Sequence, residues 1–192
     1  MADMILFHHA QGWTPGVEAF AGDLRAAGHQ VTVPDLFEGA NFDTVEEGVT
    51  HAQSIGFDTI MERGRLAAQE LPSGLVYAGF SLGVMPAQML AQNRPGARGA
   101  VFVSSCVPVS AFGAAWPADV PVQIHGMDSD PLFVDEGDLD AARELVASAD
   151  LAELFLYPGS GHLFVDSSLE TYDEQAATLV RRRVLEFLSL LD

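Results

Sequence analysis

Short runs rich in β-branched and aromatic residues alternate along this chain with longer amphipathic stretches. Positions 4–8, 31–33, 75–78, 100–104, 120–125 and 153–157 read as strands, and 15–27, 46–70, 83–93, 136–149 and 170–191 read as helices. Such alternation predicts an α/β fold in which a mainly parallel sheet carries helices on both faces. The last helix has the clearest signal. Ala177, Val180, Val184, Leu188 and Leu191 recur at helical spacing, while the triplet Arg181-Arg182-Arg183 falls mostly on the solvent side. Linkers are short, and the two long irregular pieces, 34–44 and 107–119, both follow strand C-terminal ends, where an open α/β sheet builds its ligand crevice.

Length and composition fit one domain over residues 1–192. A chain of 192 residues that is 48% hydrophobic can bury a sizeable core without metal or disulfide staples. Cys106 is the only cysteine and has no internal partner. The first residues, Met1-Ala2-Asp3, run into a strand without a basic leader, so a cytoplasmic location is expected. No apolar run approaches the roughly 20 residues that span a bilayer, so no membrane insertion is expected.

The formal charge is -18, and all nine basic residues are arginine. Such a field repels phosphate backbones, which argues against nucleic acid as a partner. The lack of lysine also removes Schiff-base chemistry, a covalent pyridoxal cofactor and the phosphate-loop lysine. The oligomeric state is open between monomer and homodimer.

Gly79-Phe80-Ser81-Leu82-Gly83 spells Gly-x-Ser-x-Gly between a predicted strand and a predicted helix. In that context the pentapeptide is a nucleophile elbow, a sharp turn that pushes a serine hydroxyl out above the sheet. A side chain at either glycine would collide with the neighbouring strand or helix. A serine nucleophile needs a base, and the base needs an orienting acid. His162, in the glycine-rich segment Tyr157-Pro158-Gly159-Ser160-Gly161-His162 after the last strand, is the candidate base, with His9 and His125 next in line. His125-Gly126-Met127-Asp128-Ser129-Asp130-Pro131 offers two acids, Asp128 and Asp130, in the chain order serine, aspartate, histidine that α/β-hydrolases use. Asp119 and Asp150 precede strands and lie at the wrong end, and Asp135 and Asp138 read as the start of the next helix.

These stations resemble the dienelactone hydrolase family of the α/β-hydrolase superfamily over essentially the whole chain. The matching residues are Pro34-Asp35-Leu36, the elbow at Ser81, Asp130-Pro131, Tyr157-Pro158-Gly159 and Gly161-His162. The family usually carries cysteine where this chain has Ser81, and a glutamate that governs the thiol at about the position of His9. Both differences agree, because a serine activated by histidine needs no group to manage a thiolate. The resemblance implies a compact hydrolase fold of six strands in the order 2-1-3-4-5-6. It favours Asp130 as the acid, with Asp128 as the alternative, and Pro131 adds to this by biasing Asp130 toward extended backbone. An oxyanion hole would use the backbone N–H of Leu82, at the start of the elbow helix, and by similarity to the family that of Ala10.

The expected activity is hydrolysis of a small ester or lactone through an acyl-enzyme on Ser81, with no cofactor. Neutral substrates are expected to be preferred over anionic ones, since Arg63 and Arg65 fall in a predicted helix and the net charge repels anions. The alternatives are a non-catalytic ligand-binding protein on the same fold and a flavodoxin-like flavin binder. The bulky His8-His9-Ala10-Gln11-Gly12-Trp13 makes a poor phosphate loop, which ranks the flavin binder last. No metal site is expected from His8, His9, His125, Asp128 and Asp130, since adjacent strand residues point to opposite faces. Cys106 reads as a small buried apolar side chain. Trp13, Phe37, Phe42, Trp116, Phe133 and Phe164, all in loops at the active-site end, are expected to contribute to an apolar pocket.

Overall fold

Strands and helices alternate in a computed structural model that describes residues 1–191. The strands are β1 (Asp3–Phe7), β2 (Gln30–Thr32), β3 (Leu75–Phe80), β4 (Gly99–Val103), β5 (Val122–Met127) and β6 (Ala152–Tyr157). They form one sheet in the order β2-β1-β3-β4-β5-β6, and every pairing is parallel. This is the compact α/β-hydrolase architecture with the strand order expected from the sequence.

Side-chain alternation along each strand divides the core between the two faces of the sheet. Ile5, Phe7, Tyr77, Phe102 and Ile124 point to one side, where they meet α3 (Phe57–Gln69), α4 (Val84–Asn93) and α6 (Asp138–Ser148). Met4, Leu6, Val76, Ala78, Val101 and Val103 point to the other and pack on α1 (Pro15–Ala26) and α7 (Glu174–Leu190). With both faces covered, the central strands are buried at every position, which is why they read as continuous apolar runs.

Three predicted helices differ in detail. The stretch 46–70 is two helices, α2 (Val45–Ile55) and α3, because Gly56 adopts φ 87° between them and ends the first as it starts the second. A short α5 (Pro131–Asp135), capped by the Asp130 side chain, precedes α6. The last helix begins at Glu174, where the Asp173 side chain accepts from the Ala176 N–H, so residues 170–173 belong to the preceding loop. Of the arginine triplet, Arg183 is turned inward: its guanidinium lies 4.3 Å from the Phe155 ring centroid and donates to the Tyr157 hydroxyl at 2.8 Å. No helix of the described residues is long and apolar enough to cross a membrane.

Candidate active site

The turn after β3 carries Ser81 at φ 49°, a left-handed conformation that costs a non-glycine residue energy and persists only where its surroundings fix it. Those surroundings are the two glycines of the elbow. A Cβ on Gly79 would strike the Gly83 carbonyl and the Val84 amide, and a Cβ on Gly83 would strike the Phe7 and His8 carbonyls at the end of β1. Backbone from the neighbouring strand and from the following helix therefore closes on the turn from both sides. A short 3-10 turn (Ser81–Gly83) leads into α4.

Ser81 Oγ lies 2.7 Å from His162 Nε2, and His162 Nδ1 lies 2.7 Å from Asp130 Oδ2. Asp130 is 1% exposed and follows β5, and His162 lies in the loop after β6, so the loop carries the imidazole back across β5 and β4 to the elbow. The free lone pair of Asp130 accepts from the Leu132 N–H at 3.1 Å, which caps α5 and holds the carboxylate in place. Asp128 is not in this chain of bonds. It is exposed, and its Oδ1 accepts from the Ser129 hydroxyl and the Gly159 N–H as a turn residue.

The loop after β1 presents the Ala10 N–H, which is buried and has no acceptor among the described residues. A buried orphan donor is uncommon and costs stability unless a ligand supplies an acceptor. The N–H of the next residue is used differently: Gln11 donates it to His9 Nδ1 at 3.2 Å. The Gln11 side chain donates to the carbonyls of Phe42 and Asp43, at 3.1 and 2.9 Å, tying this loop to the one after β2. Leu82 lies in the first turn of its helix, where amides lack intrahelical partners.

Sequence reasoning missed several polar residues around this centre. Ser104, at the end of β4, holds φ 61° and donates its hydroxyl to the His162 carbonyl at 2.5 Å, clamping the histidine's backbone. Asp138 is more than the start of a helix. It accepts from the Cys106 N–H at 3.3 Å and is pushed up from the usual aspartate range chiefly by burial. Asp166 lies fully buried with His9, whose Nε2 is 2.8 Å from Asp166 Oδ2. Burial would raise the Asp166 carboxyl, but hydrogen bonds from His9, Ser168 and Thr14 outweigh it and hold it at about 2. The only local hints of these roles are polar residues ending apolar runs, as in Val103-Ser104-Ser105 and Val165-Asp166-Ser167-Ser168.

The remaining histidines near strand ends are committed elsewhere. His8 Nδ1 donates to the His9 carbonyl at 2.8 Å, and its Nε2 accepts from the Leu36 N–H at 2.9 Å. Burial lowers its pKa to about 4. His125 is buried inside β5 against Tyr157 and Phe155, away from the elbow. Among the described residues no group of three or more His, Cys, Asp or Glu is placed to hold a metal ion. Cys106 is buried, and desolvation pushes its thiol up to about 12.

The expected aromatic pocket does not form as such. Phe37, Trp116, Phe133 and Phe164 are core residues, and Trp116 donates its indole N–H to the Val120 carbonyl. Trp13 is exposed and donates to Glu18, while Phe42 packs on His51 and Phe37. The loop residues were drawn into the core because burying a large ring stabilises by more than leaving it at a crevice wall. Beside the loop after β1 there is instead a cleft of about 430 Å³, bounded by Gln11, Asp43, Ser168, Glu170 and Thr171. A neighbouring cleft of about 490 Å³ shares Asp43 and adds Glu46 and Glu47. Arg63 does reach this end of the sheet, but its guanidinium donates to the Leu36 carbonyl at 2.6 Å and pairs with Glu38 at 2.8 Å. Arg65 stays on the outer surface with Glu62.

Among solved structures the chain is similar to a dienelactone hydrolase-like promiscuous phosphotriesterase from metagenomic libraries, with TM-score 0.76 and 15% identity over 100% of this chain and 87% of that one. It is also similar to esterase PE8, with TM-score 0.65 and 19% identity over 96% and 92% of the two chains. A thioesterase domain from the curacin biosynthetic pathway gives TM-score 0.64 and 17% identity over 96% and 90%. At these identities the shared feature is the α/β-hydrolase fold. No curated protein sequence matches the chain. A model of the dienelactone hydrolase family matches residues 3–191, and the chain belongs to that family of ester and lactone hydrolases.

Proposed function

We propose that the protein hydrolyses a small neutral ester or lactone through an acyl-enzyme on Ser81. His162 takes the Ser81 proton as the hydroxyl attacks the carbonyl and passes it to the leaving alkoxide. Water, deprotonated by the same imidazole, then releases the acid. Asp130 orients His162 and stabilises the imidazolium, and the N–H groups of Leu82 and Ala10 receive the developing oxyanion. The observation that carries this reading is the unbroken Ser81–His162–Asp130 relay, with 2.7 Å at each step, on a serine held at φ 49°. The acidic clefts beside the site and the tied guanidinium of Arg63 support neutral over anionic substrates. A reducing cytoplasm suits a chain with a single buried cysteine.

A fluorophosphonate probe tests the proposal. Wild-type protein should label stoichiometrically on Ser81 and hydrolyse p-nitrophenyl butyrate, and Ser81→Ala should lose both. Folded wild-type protein that neither labels nor hydrolyses would instead be a ligand-binding member of the fold.

A further inference from the structure

Asp166 and His9 are each fully buried, and taking a carboxylate and an imidazole out of water carries a cost that their mutual attraction does not reliably return. Stability alone is therefore a weak reason for the pair, and its location suggests another. His9 immediately precedes Ala10, the residue with the orphan N–H, and Asp166 follows His162 by four residues. Their 2.8 Å bond is a direct strut between the loop that would hold the oxyanion and the loop that holds the base.

The hydrogen bonds on either side of the strut fix its chemistry. Asp166 Oδ2 also accepts from the Thr14 hydroxyl, and Oδ1 accepts from the Ser168 N–H at 2.8 Å and the Ser168 hydroxyl at 2.6 Å. Thr14 caps α1, and a Cβ on Gly16 would strike Asp166 Oδ1, so the carboxylate is seated against the first turn of that helix. An ionised acceptor there, next to a helix N-terminus, requires His9 to present Nε2–H. That tautomer leaves Nδ1 as an acceptor, which receives the Gln11 N–H. The opposite tautomer would set Nδ1–H against the Gln11 N–H, two donors face to face, and the peptide between Ala10 and Gln11 would have to rotate. Such a rotation would lift the Ala10 carbonyl from its seat against Gly48 of α2, which is close enough that an added Cβ there would collide with it.

We propose that Asp166 and His9 form a positioning pair: Asp166 sets the His9 tautomer, His9 holds the Gln11 amide, and the loop is thereby locked with the Ala10 N–H facing the elbow. The inference rests on the acyl-enzyme reading above. It assigns to residues outside the Ser81–His162–Asp130 relay the placing of the oxyanion donor relative to the base.

The test compares Asp166→Ala, Asp166→Asn and the apolar double variant His9→Leu with Asp166→Leu, using p-nitrophenyl butyrate as substrate and a straight-chain alkyl trifluoromethyl ketone as the tetrahedral-adduct inhibitor. Asp166→Ala should lower kcat roughly 100-fold, the scale of losing one oxyanion donor, with KM changed by less than about threefold. The affinity for the ketone should fall in proportion to kcat/KM. Asp166→Asn sets an amide N–H either against the fixed Ser168 N–H or against His9 Nε2, where it favours the opposite tautomer, so kcat should fall at least about tenfold with KM little changed. The apolar double variant removes the buried ring and carboxylate together, at the cost of unpairing the Thr14, Ser168 and Gln11 donors, and should match Asp166→Ala in kcat. It keeps the test open if Asp166→Ala does not fold. A folded double variant with wild-type kcat and ketone affinity overturns the proposal, as does an Asp166→Asn variant with wild-type kcat and ketone affinity. If wild-type protein itself is inactive toward both reagents, the acyl-enzyme reading fails and not merely this refinement.

Discussion

Replacing His125 with phenylalanine should make the protein less sensitive to acid. The ring is fully buried in β5, stacked on Phe155 at 5.1 Å between centroids. Burial lowers its pKa to about 3, and the Arg183 cation pushes the same way. Arg183 donates to the Tyr157 hydroxyl, which leaves that hydroxyl's hydrogen for His125 Nδ1, 2.9 Å away. The ring proton is then on Nε2, which has no partner among the described residues. Nothing in this pocket welcomes a second proton.

Linkage gives the sign. Between the ordinary histidine value near 6.5 and about 3, the unfolded chain binds a proton at this position and the folded chain does not, so stability falls as pH falls. The slope from one such histidine is roughly 1 to 1.5 kcal/mol per pH unit once pH is well below 6.5, or about 2 to 3 kcal/mol between pH 7 and pH 4.5. His8 adds a similar slope down to about 4. The net charge of -18 works in the opposite direction, because protonating carboxylates relieves self-repulsion. The informative quantity is therefore the difference between wild type and His125→Phe, in which the carboxylates cancel. Urea unfolding followed by circular dichroism at several pH values from 7 to 4.5 measures it. The variant should gain about 2 to 3 kcal/mol on wild type across that range. At pH 7 the two should lie closer together, since the substitution removes one unsatisfied N–H and strands one hydroxyl. Parallel stability curves would refute the reasoning.

Two further outcomes follow from the site. Asp130→Asn should lose about three to four orders of magnitude in kcat, because an amide that donates to His162 Nδ1 favours the wrong tautomer, whereas Asp128→Asn, at an exposed turn, should stay within a few-fold. Steady-state kinetics on p-nitrophenyl butyrate ranks them, and the reverse ranking would move the acid to Asp128. With matched p-nitrophenyl butyrate and p-nitrophenyl hemisuccinate at low salt, kcat/KM should favour the neutral ester about tenfold or more, and the gap should narrow as salt screens Asp43, Glu46, Glu47 and Glu170. Faster turnover of the anionic ester would sink the neutral-substrate reading.

What the sequence made legible is what local chemistry encodes. The strands around Val76 and Val101 announce themselves because burial on both faces demands unbroken apolar runs, and the elbow does because only glycine fits where Gly79 and Gly83 meet backbone. Asp130 and His162 could be found because both follow strands, and the parallel order brings the C-terminal ends of β3, β5 and β6 to one edge. The helix break at Gly56 was also present locally, as a glycine within an amphipathic stretch, but apolar periodicity on both sides masked it. The aromatic loop residues were misjudged because a Phe after a strand end looks the same whether it turns into the crevice or into the core, and only packing decides.

The His9–Asp166 pair lies beyond this kind of reading for a different reason. Its partners are 157 positions apart, and neither has a neighbour whose type would signal the other. By the resemblance, His9 stands at about the position where the family carries a glutamate for its cysteine. A glutamate there can serve a thiol because it is charged and near the nucleophile. A histidine whose Nε2–H is committed to a buried carboxylate and whose Nδ1 is committed to the Gln11 amide has no free group to offer Ser81. On the proposal above, the task at that position is holding the loop that carries the Ala10 N–H rather than managing the nucleophile's proton. His162 is the one imidazole in hydrogen-bond contact with the Ser81 hydroxyl among the described residues.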